Sequence, residues 1–119
     1  MRKNRLFAIC ILAFFFCVQA EDPIQVVKNF EAAITKRDFA KAERYVSASY
    51  KPEYEILKAT KQNEPVKTLP ESIYILKKKT PQAALVFSAF KNMRNEGLNV
   101  YLSKQKGKWM IDSTNYVVF

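Results

Sequence analysis

The stretch LNVYLSKQKGKWMI, residues 98–111, decides how this chain is read. Leu98, Val100 and Leu102 alternate with Asn99, Tyr101 and Ser103, which is the two-residue period of a half-buried strand. Gln105-Lys106-Gly107 then supplies a turn, and Trp109 and Ile111 restart the alternation in a strand running to the C-terminus. The unit is a β-hairpin. Upstream, Asn95-Glu96-Gly97 marks another turn, and Ala83 to Phe90 is apolar on both faces. That pattern suits a central strand, and eight apolar-rich residues also fit a buried helix segment. Before the Thr80-Pro81-Gln82 turn, Ser72 to Lys78 alternates Ile73 and Ile75 with Tyr74 and Leu76. The second half of the chain is therefore expected to be a four-stranded antiparallel meander.

The first half has the period of helices. Asp22-Pro23-Ile24-Gln25 is a helix start, with Asp22 as N-cap, Pro23 at the first helical position and Gln25 placed to close a capping box. Ile24, Val27, Phe30 and Ile34 recur at helical spacing, Val26 and Ala33 widen the stripe, and Lys28, Glu31 and Thr35 fall elsewhere. Lys36-Arg37 closes the helix at its negative dipole end. Asp38 then caps a second helix through Phe39, Ala42, Tyr45 and Val46. A third is expected from Pro52, with Glu53 and Glu55 in its first turn and Lys58 and Lys61 near its end, stopping before Pro65. The fold class is α+β, with N-terminal helices packed on a curved antiparallel four-stranded sheet, in one domain over residues 21–119.

Residues 1–20 read as a cleaved export signal. Arg2, Lys3 and Arg5 precede an apolar run from Leu6 to Cys17, and Val18-Gln19-Ala20 offers a small-residue cleavage site before Glu21. The run is shorter than the about 20 apolar residues a bilayer span needs, so no transmembrane segment is expected after cleavage. The expected location is periplasmic or secreted. Cys10 and Cys17 leave with the leader, so no disulfide is available and the apolar core alone must hold the fold. Losing Arg2, Lys3 and Arg5 lowers the net charge from +9 to +6. Outside the cytoplasm a basic surface points to anionic head groups, envelope polymers or an acidic protein rather than to nucleic acid.

The chain contains no histidine. That excludes Ser-His-Asp and Cys-His catalysis in the mature protein and leaves a zinc site only carboxylates. No metal or cofactor is expected.

The residues Pro23 to Ile34, the junction Lys36-Arg37-Asp38-Phe39-Ala40-Lys41-Ala42 and the Gly107-Lys108-Trp109-Met110-Ile111 segment together resemble the nuclear-transport-factor-2-like superfamily of α+β cones, most closely its small exported branch of unknown function. The resemblance covers nearly all of residues 21–119 and implies a sheet curled around the first helix, with a cone whose open end can hold a ligand. The superfamily includes isomerases, cyclases, dehydratases and non-enzymatic accessory domains, so the resemblance leaves function open.

Three sets of candidate residues follow. Tyr45, Tyr50 and Tyr54, with Phe30, Ile34 and Trp109, are candidates for lining a pocket at the cone. Alternation places Ile73, Ile75, Val86, Phe90, Val100, Leu102, Trp109 and Ile111 against the helices. It leaves Tyr74, Leu76, Leu85, Phe87, Tyr101, Met110 and Tyr116 on the opposite face, as an interface with a second copy or an envelope protein. Lys77, Lys78, Lys79, Lys104, Lys106 and Lys108 flank the first and third turns, which share a sheet end, and form a candidate anionic-partner surface. Asp112, expected on the face of Met110, Thr114 and Tyr116 away from the cone, is read as a solvated carboxylate rather than a catalytic one. The expected function is a non-catalytic binding or accessory module of the cell envelope that self-associates through its sheet. A small-molecule carrier is the alternative and an isomerase or cyclase the third reading. A buried acid beside a tyrosine would promote the enzyme; a filled cone and a bare aromatic sheet face would favour the interaction module.

Overall fold

The computed structural model describes residues 21–64, 72–90 and 95–118. The leader, most of the Asn63 to Pro70 stretch and the inward placement of the Phe90 side chain lie outside the described residues. Helix α1 spans Pro23–Thr35, α2 Phe39–Glu43 and α3 Lys51–Gln62. Strands β1 Ser72–Lys79, β2 Ala83–Phe90, β3 Glu96–Gln105 and β4 Lys108–Val118 follow as one antiparallel sheet in the order β1-β2-β3-β4. The arrangement is α+β, helices first and meander second.

Helix α1 starts through the capping box that its sequence spells: the Gln25 amide donates to the Asp22 carboxylate at 2.8 Å, and the Asp22 amide donates back to Gln25 Oε1 at 3.3 Å. Its end is a Schellman turn. Arg37 sits at φ 63°, its amide donates to the Ile34 carbonyl at 3.1 Å, and the Asp38 amide reaches the Ala33 carbonyl at 2.8 Å. Glycine usually takes this left-handed position; here the Arg37 guanidinium offsets the strain by donating to the carbonyls of Ile34 (2.9 Å) and Thr35 (3.1 Å). Asp38 then caps α2 by accepting from the Lys41 amide. Helix α2 ends at Glu43, earlier than the expected run to Val46. Residues 45–47 instead extend along β4, where the Ile111 amide donates to the Tyr45 carbonyl at 2.7 Å and the Ser47 amide to the Ile111 carbonyl at 3.0 Å. This short parallel bridge covers part of an otherwise open edge strand.

The β3–β4 loop has two residues, Lys106 at φ 51° and Gly107 at φ 78°, between the paired Gln105 and Lys108. Two left-handed central residues are the mark of a type I′ turn, whose twist matches that of the flanking strands. Register shifts interrupt the alternation twice. One lies between Leu76 and Lys78 in β1. In β4, Tyr101 pairs with Ser113 and Leu102 with Ile111, which makes Asp112 a bulged residue.

Val26, Val27, Phe30, Ala33 and Ile34 of α1 meet Ala84, Val86, Val100, Leu102, Trp109 and Ile111 of the sheet in one buried cluster, with Ala42, Val46, Tyr50 and Tyr54 completing it. The alternation of β2 and β3 is as expected. That of β1 is reversed. Tyr74 and Leu76 pair with Ser88 and Val86 on the helix-facing side, so Ile73 and Ile75 take the outer face, 47% and 50% exposed. The reversal has a polar cause, since Tyr74 reaches inward to hydrogen-bond α1. The Asp112 bulge also re-aims the end of β4: Thr114 and Tyr116 pair with Val100 and Leu98 and share their face, not the outer one.

Candidate functional site

Glu31 on α1 lies four residues after Val27 and three before Ile34, so helical spacing puts its carboxylate on the buried stripe. Its Oε1 accepts from the Tyr74 hydroxyl at 2.6 Å, and its Oε2 accepts from Ser88 Oγ at 2.9 Å. Tyr74 and Ser88 are cross-strand partners, so adjacent strands present both hydroxyls to one helix position. Burial raises the Glu31 pKa above the usual carboxylate range, and the two hydroxyl donors offset part of the rise. Its own burial, and then the same contact with Glu31, push the Tyr74 hydroxyl well up. Lys28 stands over the Tyr74 ring, 6.0 Å from its centroid. This cluster pins α1 to β1 and β2 and holds a proton more readily than an ordinary glutamate. Sequence reading missed it by placing Glu31 off the apolar stripe. Two signals could have found it: its spacing from Val27 and Ile34, and the hydroxyl of Ser88 inside an apolar strand.

Most of the expected pocket residues are core. Phe30 and Ile34 are buried, and Tyr50 and Tyr54 pack against the Phe30 ring with centroids 6.2 Å away. The Tyr54 hydroxyl donates to Glu43 at 2.9 Å and to the Phe39 carbonyl at 3.3 Å. Lys58 adds a 3.2 Å contact to the same carboxylate. These donors, Tyr54 foremost, hold Glu43 below the usual carboxylate range. The tyrosines Tyr50 and Tyr54 thus fill the helix–sheet space instead of lining a pocket. Of the six, Tyr45 and Trp109 line the cleft between the start of α1 and the β3–β4 hairpin, and the other four do not line it. Asp112, at its bulge, accepts from Ser49 Oγ at 3.3 Å and touches none of the tyrosine or Glu31 groups above.

The outer face of the sheet carries Ile73 and Ile75 of β1, Leu85 and Phe87 of β2 and Tyr101 of β3. Ile75 is the cross-strand partner of Phe87, and Leu85 that of Tyr101. Tyr101 is 40% exposed, and Leu85 and Phe87 are half-buried between their neighbours. Among the described residues the helices pack on the other face. Of the expected interface residues, Leu85, Phe87, Tyr101 and Met110 lie on the outer side; Tyr74, Leu76 and Tyr116 do not, for the reasons of register given above. Ile73 and Ile75 take their place in the patch.

The segments that carry the six lysines meet at one end of the sheet, with Lys77 and Lys104 directed to opposite faces. The Lys104 amide donates to the Gln82 carbonyl at 2.9 Å, tying the first and third turns at one sheet end. Lys77, Lys78 and Lys79 approach that end from β1, and Lys104, Lys106 and Lys108 surround it from the β3–β4 hairpin. Lys77 lies over the Phe87 ring at 5.0 Å and Lys104 over Trp109 at 5.7 Å. Both use aromatic faces as supports for their charge. No group of three or more metal-ligating side chains occurs among the described residues, and none of the described helices is long and apolar enough to cross a membrane. No family model, curated protein or solved structure matches the chain.

Proposed function

We propose that the chain is an exported, non-catalytic binding or accessory module of the cell envelope, a cone of the nuclear-transport-factor-2-like kind, and that it self-associates through the outer face of its sheet. The observation that carries this reading is the contiguous patch of Ile73, Ile75, Leu85, Phe87 and Tyr101. Monomers seldom leave such a patch wet. The filled interior supports the same reading, because Phe30, Tyr50 and Tyr54 occupy the space a cone ligand would take. A second copy is the fitting occupant: the patch is apolar, and its cations lie at one end, where Lys77 is folded over Phe87 and Lys78 pairs with Leu85. A two-fold pairing would therefore bury apolar side chains against one another.

Native mass spectrometry of the protein as the cell processes it tests this. A dimer that Ile75→Lys and Tyr101→Lys convert to monomer upholds the reading; a monomer at every accessible concentration overturns it.

The Glu31–Tyr74 pair supports a second reading, proton-transfer chemistry of the isomerase or cyclase type, since it sets a raised-pKa carboxyl against a phenol donor. That chemistry needs a reachable carboxyl. Carbodiimide coupling of an amine to Glu31 in the native protein would favour it, and protection of Glu31 until unfolding would assign the cluster to holding α1 in place.

A further inference from the structure

Between the start of α1 and the β3–β4 hairpin lies a cleft of about 340 Å³, lined by Glu21, Val26, Arg44, Tyr45, Lys108 and Trp109 among others. It shares no residue with the Ile73–Ile75–Leu85–Phe87–Tyr101 patch or with the Glu31 cluster, and its volume falls within the range of small-ligand sites, roughly 300–1,000 Å³. Its floor is apolar, formed by the buried side chains of Val26 and Trp109. Its rim is cationic. Arg44 and Lys108 are exposed and have no ion-pair partner among the described residues, and Lys104 adds a third charge over the Trp109 ring.

The one carboxylate in the lining does not neutralise them. Glu21 accepts from Asn29 Nδ2 at 2.8 Å and from the Tyr45 hydroxyl at 3.3 Å, which hold it beside Asn29 and Tyr45, and its single negative charge stands against the positive charges of Arg44, Lys108 and Lys104. The side of the cleft toward Arg44 and Lys108 therefore keeps a net positive potential above an aromatic and aliphatic floor. We propose that this cleft binds an amphipathic anion: a carboxylate or phosphate group held by Arg44 and Lys108, with a short apolar chain laid against Trp109 and Val26. Arginine suits the head group because its planar fork matches oxyanion geometry. This site is independent of the self-association reading, since it uses none of the patch residues Ile73, Ile75, Leu85, Phe87 and Tyr101; of the outer-side residues only Met110, on the edge strand β4, borders it.

Trp109 is the only tryptophan in the chain, so its fluorescence reports on this cleft directly. The test titrates the purified protein with octanoate, octanol and inorganic phosphate, and separately with vesicles of phosphatidylcholine containing phosphatidylglycerol. A saturable change in Trp109 emission with octanoate, or with the anionic vesicles, is expected. The first response identifies a free amphiphile as the source of the head group and the second a lipid surface. Octanol or phosphate alone should bind at least about tenfold more weakly, since each lacks one half of the recognition. Arg44→Gln and Lys108→Gln should each weaken binding roughly fivefold, whereas Lys78→Gln, an equal charge change on β1, should leave it unaltered. No saturable response to octanoate or vesicles overturns the proposal. Equal binding of octanol, or equal weakening by Lys78→Gln, overturns it as well.

Discussion

Glu31 shows how one side chain shapes the behaviour of the whole domain. Its pKa is raised in the folded state, so between its ordinary value of 4.5 and the raised one the folded protein binds more protons than the unfolded chain. Stability should therefore fall as pH rises through that window. Glu43 works in the opposite sense. Its folded pKa is depressed, so its contribution is present above the ordinary value and is lost as pH falls through the lower one. Thermal unfolding followed from pH 3 to 8 should show a maximum near the ordinary glutamate pKa. Glu31→Gln should flatten the neutral side of that curve, because an amide keeps a hydrogen bond without the charge. Glu31→Ala should cost about 1–3 kcal/mol at low pH by stranding the Tyr74 and Ser88 hydroxyls, and less above the window. Lys106 is a second case of a residue under constraint. It holds φ 51° where Asn or Asp is favoured, so Lys106→Asn should raise stability by about 0.5–1 kcal/mol. Gly107→Ala should lower it by about 1 kcal/mol: the Cβ meets nothing, but φ 78° strains any L-residue.

At the scale of elements, much of the fold was legible because its signals are local. Asp22, Pro23 and Gln25 spell the start of α1, Lys106-Gly107 the hairpin turn, and Pro52 with Glu53 the first turn of α3. The missing parts depend on contacts between distant segments. Alternation put Ile73 and Ile75 inward because they are the more apolar pair, but the bond from Tyr74 to Glu31, forty-three residues away, fixes the opposite phase. The Asp112 bulge, invisible in the sequence pattern, re-aims Thr114 and Tyr116. Residues 45–47 leave the helical pattern because pairing with Ile111 satisfies their backbone better than another turn of α2. The Schellman turn at Arg37 gives an element-scale prediction. Arg37→Ala should destabilise the α1–α2 junction by about 1–2 kcal/mol, because it removes the guanidinium bonds to two helix-end carbonyls while keeping the left-handed strain. Chemical denaturation with helical circular dichroism as the readout checks it.

For the molecule as a whole, the two sides of the sheet should respond to substitution in different ways. Phe30 sits at the centre of the filled interior against Tyr50 and Tyr54, and Phe30→Ala should cost about 3–5 kcal/mol, a large share of a small domain's stability. Ile75→Lys on the outer face should leave the folded protomer within about 0.5 kcal/mol of its stability while abolishing association. That contrast separates a core from an interface. Disulfide trapping tests the outer-face claim most directly, because the leader reading leaves the mature chain without cysteine. Single cysteines placed at Ile75 or Tyr101 should form covalent dimers under mild oxidation. A cysteine at Ile56, equally apolar and 70% exposed on α3, should not. Monomer from both sheet positions, or equal trapping from Ile56, would contradict self-association through the sheet.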